Sequence, residues 1–186
     1  KNITLSLVVE SQITIKRQYD LVMIVSLSIK DLLLSLGIKS NIKWPNDILV
    51  NKKKISGILI DNIISKDIIA YSIIGIGLNV NQIVFDDYTP QATSLSLLLN
   101  RNLILQEIRD KLLICIKKRL NAYRKGIDMK EEYLNSVFQK DRVTVFESKF
   151  KRFNGIIRGV TEQGLLIIET ENSMKRFNMK EIKMLF

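Results

Sequence analysis

The sequence predicts an α+β protein in two parts: a larger region of interleaved strands and helices, then a small all-β unit. Three observations carry this. Over most of the chain, period-two strand patterns alternate with three-four helical patterns. After about Gln139 the pattern shifts to short strands at regular spacing with turn signals between them. Hydrophobic residues make up 46% of the 186 residues and charged residues 26%, a balance that builds a real core. The expected boundary gives a core over 1–138 and a terminal unit over 139–186.

The elements follow in order. Residues 3–9 alternate and are β-branched, which predicts a strand. Residues 19–36 carry apolar side chains at helical spacing and stop at Gly37. Residues 42–44 are extended, as the residue before Pro45 prefers. Residues 48–50, a polar Asn51-Lys52-Lys53 turn, and residues 54–61 predict a hairpin. Residues 68–80 predict a long strand, too apolar for a sheet edge. A polar loop over 81–91 precedes a short helix over 92–99. Residues 106–123 predict an amphipathic helix, and residues 128–138 another, capped by Asp128. Strands over 142–147, 152–160, 165–169 and 174–178, with turn signals at Phe153-Asn154-Gly155, Glu162-Gln163-Gly164 and Glu171-Asn172-Ser173, predict a small closed barrel.

Composition excludes several chemistries. There is no histidine and one cysteine, Cys115. Nucleophile systems that need an imidazole base are impossible, as are an H-E-x-x-H metal site and an intrachain disulfide. Cys115 falls on the apolar face of its helix and reads as a packed thiol. No apolar run reaches the roughly 18 residues of a membrane span. The expectation for the protein is a cytoplasmic location and no membrane partner. The net charge of +10 admits a polyanionic partner. Its spread along the chain, with basic clusters alternating with acidic residues, reads rather as a solvated basic surface. From Phe138 onward, ten basic residues face six acidic ones, which is not a concentrated patch.

Chemistry must then rest on Lys, Arg, carboxylates, amides and a bound ligand. Three segments supply such groups. Lys43-Trp44-Pro45-Asn46-Asp47 puts an amide and a carboxylate after a stiff proline turn, suited to a hydrated Mg²⁺ or a phosphate, though also to an ordinary hairpin connector. Lys54-Ile55-Ser56-Gly57-Ile58-Leu59-Ile60 starts a strand with a lysine suited to a phosphate or carboxylate, while Lys52 and Lys53 read as solvated. Gly75-Ile76-Gly77-Leu78-Asn79-Val80-Asn81 lets a ligand approach the backbone, or marks a β-bulge.

In this order, and with Ala92-Thr93-Ser94-Leu95 following, the segments closely resemble the signature blocks of biotin protein ligases. The resemblance covers nearly the whole chain. It implies a mixed sheet with helices, like the class II aminoacyl-tRNA synthetase core, and an SH3-like C-terminal unit. It also implies a two-step activity. Biotin and ATP give biotinyl-5′-AMP and pyrophosphate, and the acyl group then passes to a lysine of a biotin carboxyl carrier protein, as in acetyl-CoA carboxylase. Carried over residue by residue, Lys54 would offset charge on the biotin carboxylate and the α-phosphate. Asp47 would orient or deprotonate the carrier lysine, or support Lys54. Gly57, Ile58, Leu59 and Gly75 would line the biotin slot beside Lys54. Lys43, Asn46, Gly77 and Asn79 would border the nucleotide. Mg²⁺ would arrive with ATP near Asn46 and Asp47, without a protein cage. Trp44 would pack and stiffen the turn.

Family members also carry a Gly-Arg-Gly-Arg-type loop ahead of the strand that residues 3–9 resemble. No segment of the sequence supplies it, so the expectation is a fragment of a longer ligase, in preference to a truncated gene product, inactive or severely impaired alone. No DNA-binding domain is visible, and a homodimer is compatible with the sequence. The rival expectations are a lipoate or octanoate ligase-type acyltransferase and a non-catalytic basic nucleic-acid-binding module.

Overall fold

The computed structural model describes residues 1–87 and 90–186. Among the described residues two five-stranded sheets, four α-helices and a short 3-10 helix (Ile15–Arg17) form it. The first sheet contains β1 (Ile3–Thr14), β2 (Asn41–Lys43), β3 (Asp47–Val50), β4 (Lys53–Ser65) and β5 (Ile68–Leu78), in the order β1-β5-β4-β3-β2. The long strand expected over 68–80 is β5, and it lies inside the sheet between β1 and β4 as its apolar sequence requires. All its strand ladders are antiparallel. Among the described residues, parallel pairing along this sheet takes the form of isolated bridges, Lys54 to Ala92 and Ile42 to Val137.

One face of this sheet is covered by helix α1 (Tyr19–Ser35). It is buried almost all round, with Leu21, Ile24, Val25, Leu27, Ile29, Leu32 and Leu33 each fully enclosed. Such a helix needs apolar partners on both sides. The sheet supplies one, and α3 (Leu105–Arg124) supplies the other. α1 ends as the sequence predicts. Gly37 adopts φ +78°, and the amides of Gly37 and Ile38 bond the carbonyls of Leu34 and Leu33. Arg119 on α3 grips both Asp31 oxygens of α1 at 2.7 Å and Glu132 of α4 (Lys130–Asn135) at 2.6 Å, so one guanidinium ties three helices.

Several boundaries shift for physical reasons. The helix expected from residue 92 starts later, as α2 (Leu95–Leu99), because residues 91–93 bond alongside β4 instead. Asp128 does not cap α4; Met129 holds the cap position, and the Asp128 carboxylate accepts from the Lys130 amide one step earlier. The loop expected over 81–91 includes Tyr88 and Thr89, which lie outside the described residues.

The second sheet holds β6 (Val143–Ser148), β7 (Lys151–Val160), β8 (Leu166–Glu169), β9 (Met174–Phe177) and β10 (Lys183–Leu185), in the order β10-β6-β7-β8-β9. The expected closed barrel is open at one seam, since β9 and β10 share no ladder. Phe153-Asn154-Gly155 is not a turn. It lies within β7, where a Cβ on Gly155 would sit 2.5 Å from Ile168 Cγ2, so the glycine serves close packing. The chain instead reverses at Lys149 and Phe150, both with positive φ.

The two sheets share one apolar core, in which Phe146, Ile157, Val160 and Ile168 join the residues under the first sheet. Gly164, at φ +90° between β7 and β8, lies against the Tyr19 ring, and its carbonyl accepts from Trp44 Nε1 at 2.9 Å. The Tyr19 hydroxyl in turn donates to the Pro45 carbonyl at 3.0 Å.

Candidate active site

The open face of the first sheet carries a cross-strand row. Lys43 pairs with Asp47, Asp47 with Gly57, and Gly57 with Gly77. Residues opposite one another in antiparallel strands share a face, so this row brings a lysine, a carboxylate and two side-chain-free positions together. A cleft of about 590 Å³ lies over it.

Lys54 joins the row because of an irregularity. Positions 54 and 57 differ by an odd number, so a regular strand would point them to opposite faces. The register of β3 against β4 slips here: Ile48 pairs with Ser56, but Leu49 pairs with Lys54. Ile55 is the extra residue, a bulge that turns Lys54 onto the open face. Its ammonium reaches Asp47 Oδ1 at 2.5 Å. It passes over Gly57, where a Cβ would lie 3.2 Å from both Lys54 Cε and Nζ. Lys43 Nζ stands 3.6 Å from Asp47 Oδ2. Asp47 is nearly buried, with a side-chain exposure of 12%, whereas Lys54 keeps 41%. The carboxylate is thus held by two ammonium groups, and Lys54 still faces solvent and any ligand.

Gly75 and Gly77 sit in regular ladder, so they are not the bulge their spacing allowed. Among the described residues nothing lies within 4 Å of the space a Gly77 Cβ would fill, which leaves the cleft floor open. Ser56 is buried and donates to the Gly77 carbonyl at 2.7 Å, fixing β4 to β5 beneath that floor.

A strap holds Lys54 from the other side. The Lys54 amide donates to the Gln91 carbonyl at 2.7 Å, and its carbonyl accepts from the Thr93 amide at 2.9 Å. Asn79 Nδ2 donates to the Thr93 carbonyl at 3.0 Å. Asn79 therefore both borders the cleft and pins the strap. Ala92, Pro90, Gln82 and Phe85 close one side of the cleft. Gln82 and Phe85 carried no sequence signal, because they reach the cleft from an irregular loop.

The remaining expected residues fall elsewhere. Asn46 does not line the cleft; its amide donates to the Ile58 carbonyl at 2.7 Å and its carbonyl accepts from the Ile58 amide at 3.0 Å. The Ile58 side chain is in the core, on the face opposite the cleft. Leu59 pairs with Gly75 one row along the open face and is 65% exposed. Trp44 packs in the core as the sequence suggested. A larger groove, about 880 Å³, lies between the end of β1 and the end of α3, but its Arg17 is already bound to Asp20 and stacked on Tyr123. Among the described residues, no group of three or more acidic, His or Cys side chains is placed to hold a metal ion.

Comparison with known proteins bears directly on this cleft. Residues 1–79, which carry the whole Lys43-to-Asn79 arrangement, match the biotin/lipoate A/B protein ligase family. Residues 146–182 match the biotin protein ligase C terminal domain. The chain is a biotin protein ligase-like protein. It is 29% identical over 192 residues to the bifunctional ligase/repressor BirA of Bacillus spizizenii, covering 98% of this chain and 58% of that protein. It is 32% identical over 156 residues to BirA of Bacillus subtilis, covering 80% and 47%. The ligase-like chain thus spans about half the length of the curated relatives it matches. Its fold is shared with the biotin protein ligase of Aquifex aeolicus, at a TM-score of 0.80 and 24% identity over 99% of this chain and 82% of that one. The same enzyme in complex with biotin and ATP matches at 0.77 and 25% identity, over 99% and 78%. The SH3-like expectation for the second sheet agrees with the C-terminal family match. Among the described residues no helix is long and apolar enough to cross a membrane.

Proposed function

We propose that the cleft joins the carboxylate of biotin to AMP and then passes the biotinyl group to a lysine amine of a carrier protein. The observation that carries this reading is the Lys54–Asp47 pair, 2.5 Å apart on a glycine-floored cleft. A relative of shared fold binds biotin and ATP together, which supports both as substrates here.

In the first step a carboxylate oxygen attacks the α-phosphorus and pyrophosphate leaves. Both reactants are anionic, so the barrier is dominated by charge repulsion and alignment. Lys54, its ammonium half exposed and held from behind by Asp47, sits where it can neutralise both. Mg²⁺ would supply further neutralisation on the phosphates. The donor set fits a nucleotide-borne ion: both Asp47 oxygens face ammonium groups, and the Asn46 amide is bonded to Ile58. In the second step a neutral amine attacks the acyl carbon, AMP leaves, and the amine sheds a proton. Asp47 is the carboxylate at hand to receive it, and the strap from Gln91 to Thr93 keeps Lys54 in place through both steps.

The test is ATP–pyrophosphate exchange by the natural polypeptide that contains these residues. Exchange that depends on biotin, and not on lipoate or octanoate, supports the reading. Exchange driven equally by lipoate would replace it with the acyltransferase alternative. The match of residues 146–182 to a domain of biotin protein ligases favours biotin.

A further inference from the structure

The open seam of the second sheet holds a feature the proposed reaction does not use. Lys149, Arg176, Lys180 and Lys183 line one groove of about 670 Å³. Scattered in sequence, they are brought together because the β6–β7 tip folds against the 178–182 connection, where Ser148 Oγ donates to the Glu181 carbonyl at 2.7 Å. The two acidic residues lining the groove are occupied. Glu147 accepts from Arg152 at 3.3 Å, and Glu181 Oε2 accepts from the Asn178 amide at 2.7 Å. Among the described residues no ion pair engages the four cations. The charge spread evenly in sequence is therefore concentrated in space. Phe150 stands at the rim, 99% exposed. It is carried by a turn in which Lys149 and Phe150 both adopt positive φ, a conformation β-branched and bulky residues rarely accept.

We propose that this groove binds single-stranded nucleic acid, with phosphates along the four cations and a base stacked on Phe150. A strand with a charge at every step suits a groove lined by four cations outside any ion pair, and bases suit a bare aromatic face. A bilayer is flat and would meet the rim alone, where one phenyl offers little apolar area. An acidic protein surface gives no use for a fully exposed ring.

Fluorescence anisotropy on the full natural chain, with labelled single-stranded oligothymidine and oligouridine of about a dozen nucleotides, tests this. Four phosphate contacts predict a log–log salt slope near −3, or about 50-fold weaker binding between about 50 and about 200 mM salt. Replacing Lys180 and Lys183 by Ala together should cut the slope by about half. Phe150→Leu keeps the apolar bulk and removes the π face, and should weaken binding at least about fivefold. These exposed changes leave the core and the cleft of the first sheet untouched. The proposal fails if binding is absent up to about 100 μM at low salt, or if Phe150→Leu binds as well as the parent. It also fails if poly-glutamate at matched charge displaces the oligonucleotide equally well, or if anionic phosphatidylserine vesicles compete for the groove more strongly than unlabelled oligonucleotide.

Discussion

Trp44 Nε1 donates to the Gly164 carbonyl at 2.9 Å, and this bond joins the turn that delivers Asp47 to the β7–β8 turn of the second sheet. The C-terminal sheet thus helps to set the position of the site's carboxylate. Trp44→Phe keeps an aromatic in place but orphans the carbonyl, and should cost about 1–3 kcal/mol. Gly164→Ala should cost at least as much, since its Cβ would lie 2.3 Å from Tyr19 Cδ2 at a φ of +90°. Urea denaturation checks both. Two variants as stable as the parent would show that the contact carries no energy.

Glycines of the two sheets should respond oppositely to a methyl group. Gly155→Ala drives a carbon against Ile168 and should lose about 1–3 kcal/mol. Gly77→Ala meets nothing within 4 Å among the described residues, so stability should hold or rise by about 0.4–1 kcal/mol. Its methyl projects into the cleft, so ligand affinity should fall instead. Thermal melts with and without biotin and ATP separate the two effects.

The strap should loosen when Asn79 is replaced. Asn79→Ala leaves the Thr93 carbonyl without its side-chain donor, a loss of about 1 kcal/mol in local stability. Amide exchange at Thr93, whose N–H bonds the Lys54 carbonyl, should accelerate about fivefold. Unchanged exchange there would remove Asn79 from the strap.

Stability should fall on the alkaline side. Burial pushes the Tyr19, Tyr123 and Tyr133 hydroxyls above their ordinary value of 10.0, Tyr123 being held also by Asp20 and Tyr19 also by Tyr133. Burial likewise pushes the Cys115 thiol up. Each group stays protonated in the fold after the unfolded chain has lost its proton, so its contribution is full below its ordinary value and drains away above it. Lys30 opposes the trend, because burial lowers its value and its cost is relieved as pH rises. One lysine against four groups leaves a net loss. Urea midpoints should drop between about pH 9 and about pH 11, and a flat profile would contradict these environments.

The elements that depend on local periodicity were legible in the sequence: α1 with its Gly37 stop, α3, and β5 as an interior strand. Residues of the candidate cleft stood out in the sequence too, because Lys54, Asp47, Gly57 and Gly77, which line it, stand in recognisable blocks. What escaped reading depends on partners distant in sequence. The bulge at Ile55, which decides that Lys54 faces the cleft, is a property of the β3–β4 register. Asn46 looked like a ligand because its spacing says nothing of the Ile58 carbonyl that its amide meets. Asn154-Gly155 looked like a turn because a glycine chosen for close packing and one chosen for conformational freedom are the same letter. The basic groove was invisible because its four cations converge only when the seam of the second sheet forms.

In the proposed reaction Lys54, aimed by the bulge and backed by Asp47, neutralises the charge that opposes adenylation. The decisive measurement is biotin-dependent ATP–pyrophosphate exchange by the natural polypeptide and by its Lys54→Ala variant, with circular dichroism and melting to show that the variant is folded. A folded variant whose exchange falls by about 10²-fold or more is the predicted result. Near-parental exchange from a folded Lys54→Ala protein would contradict it.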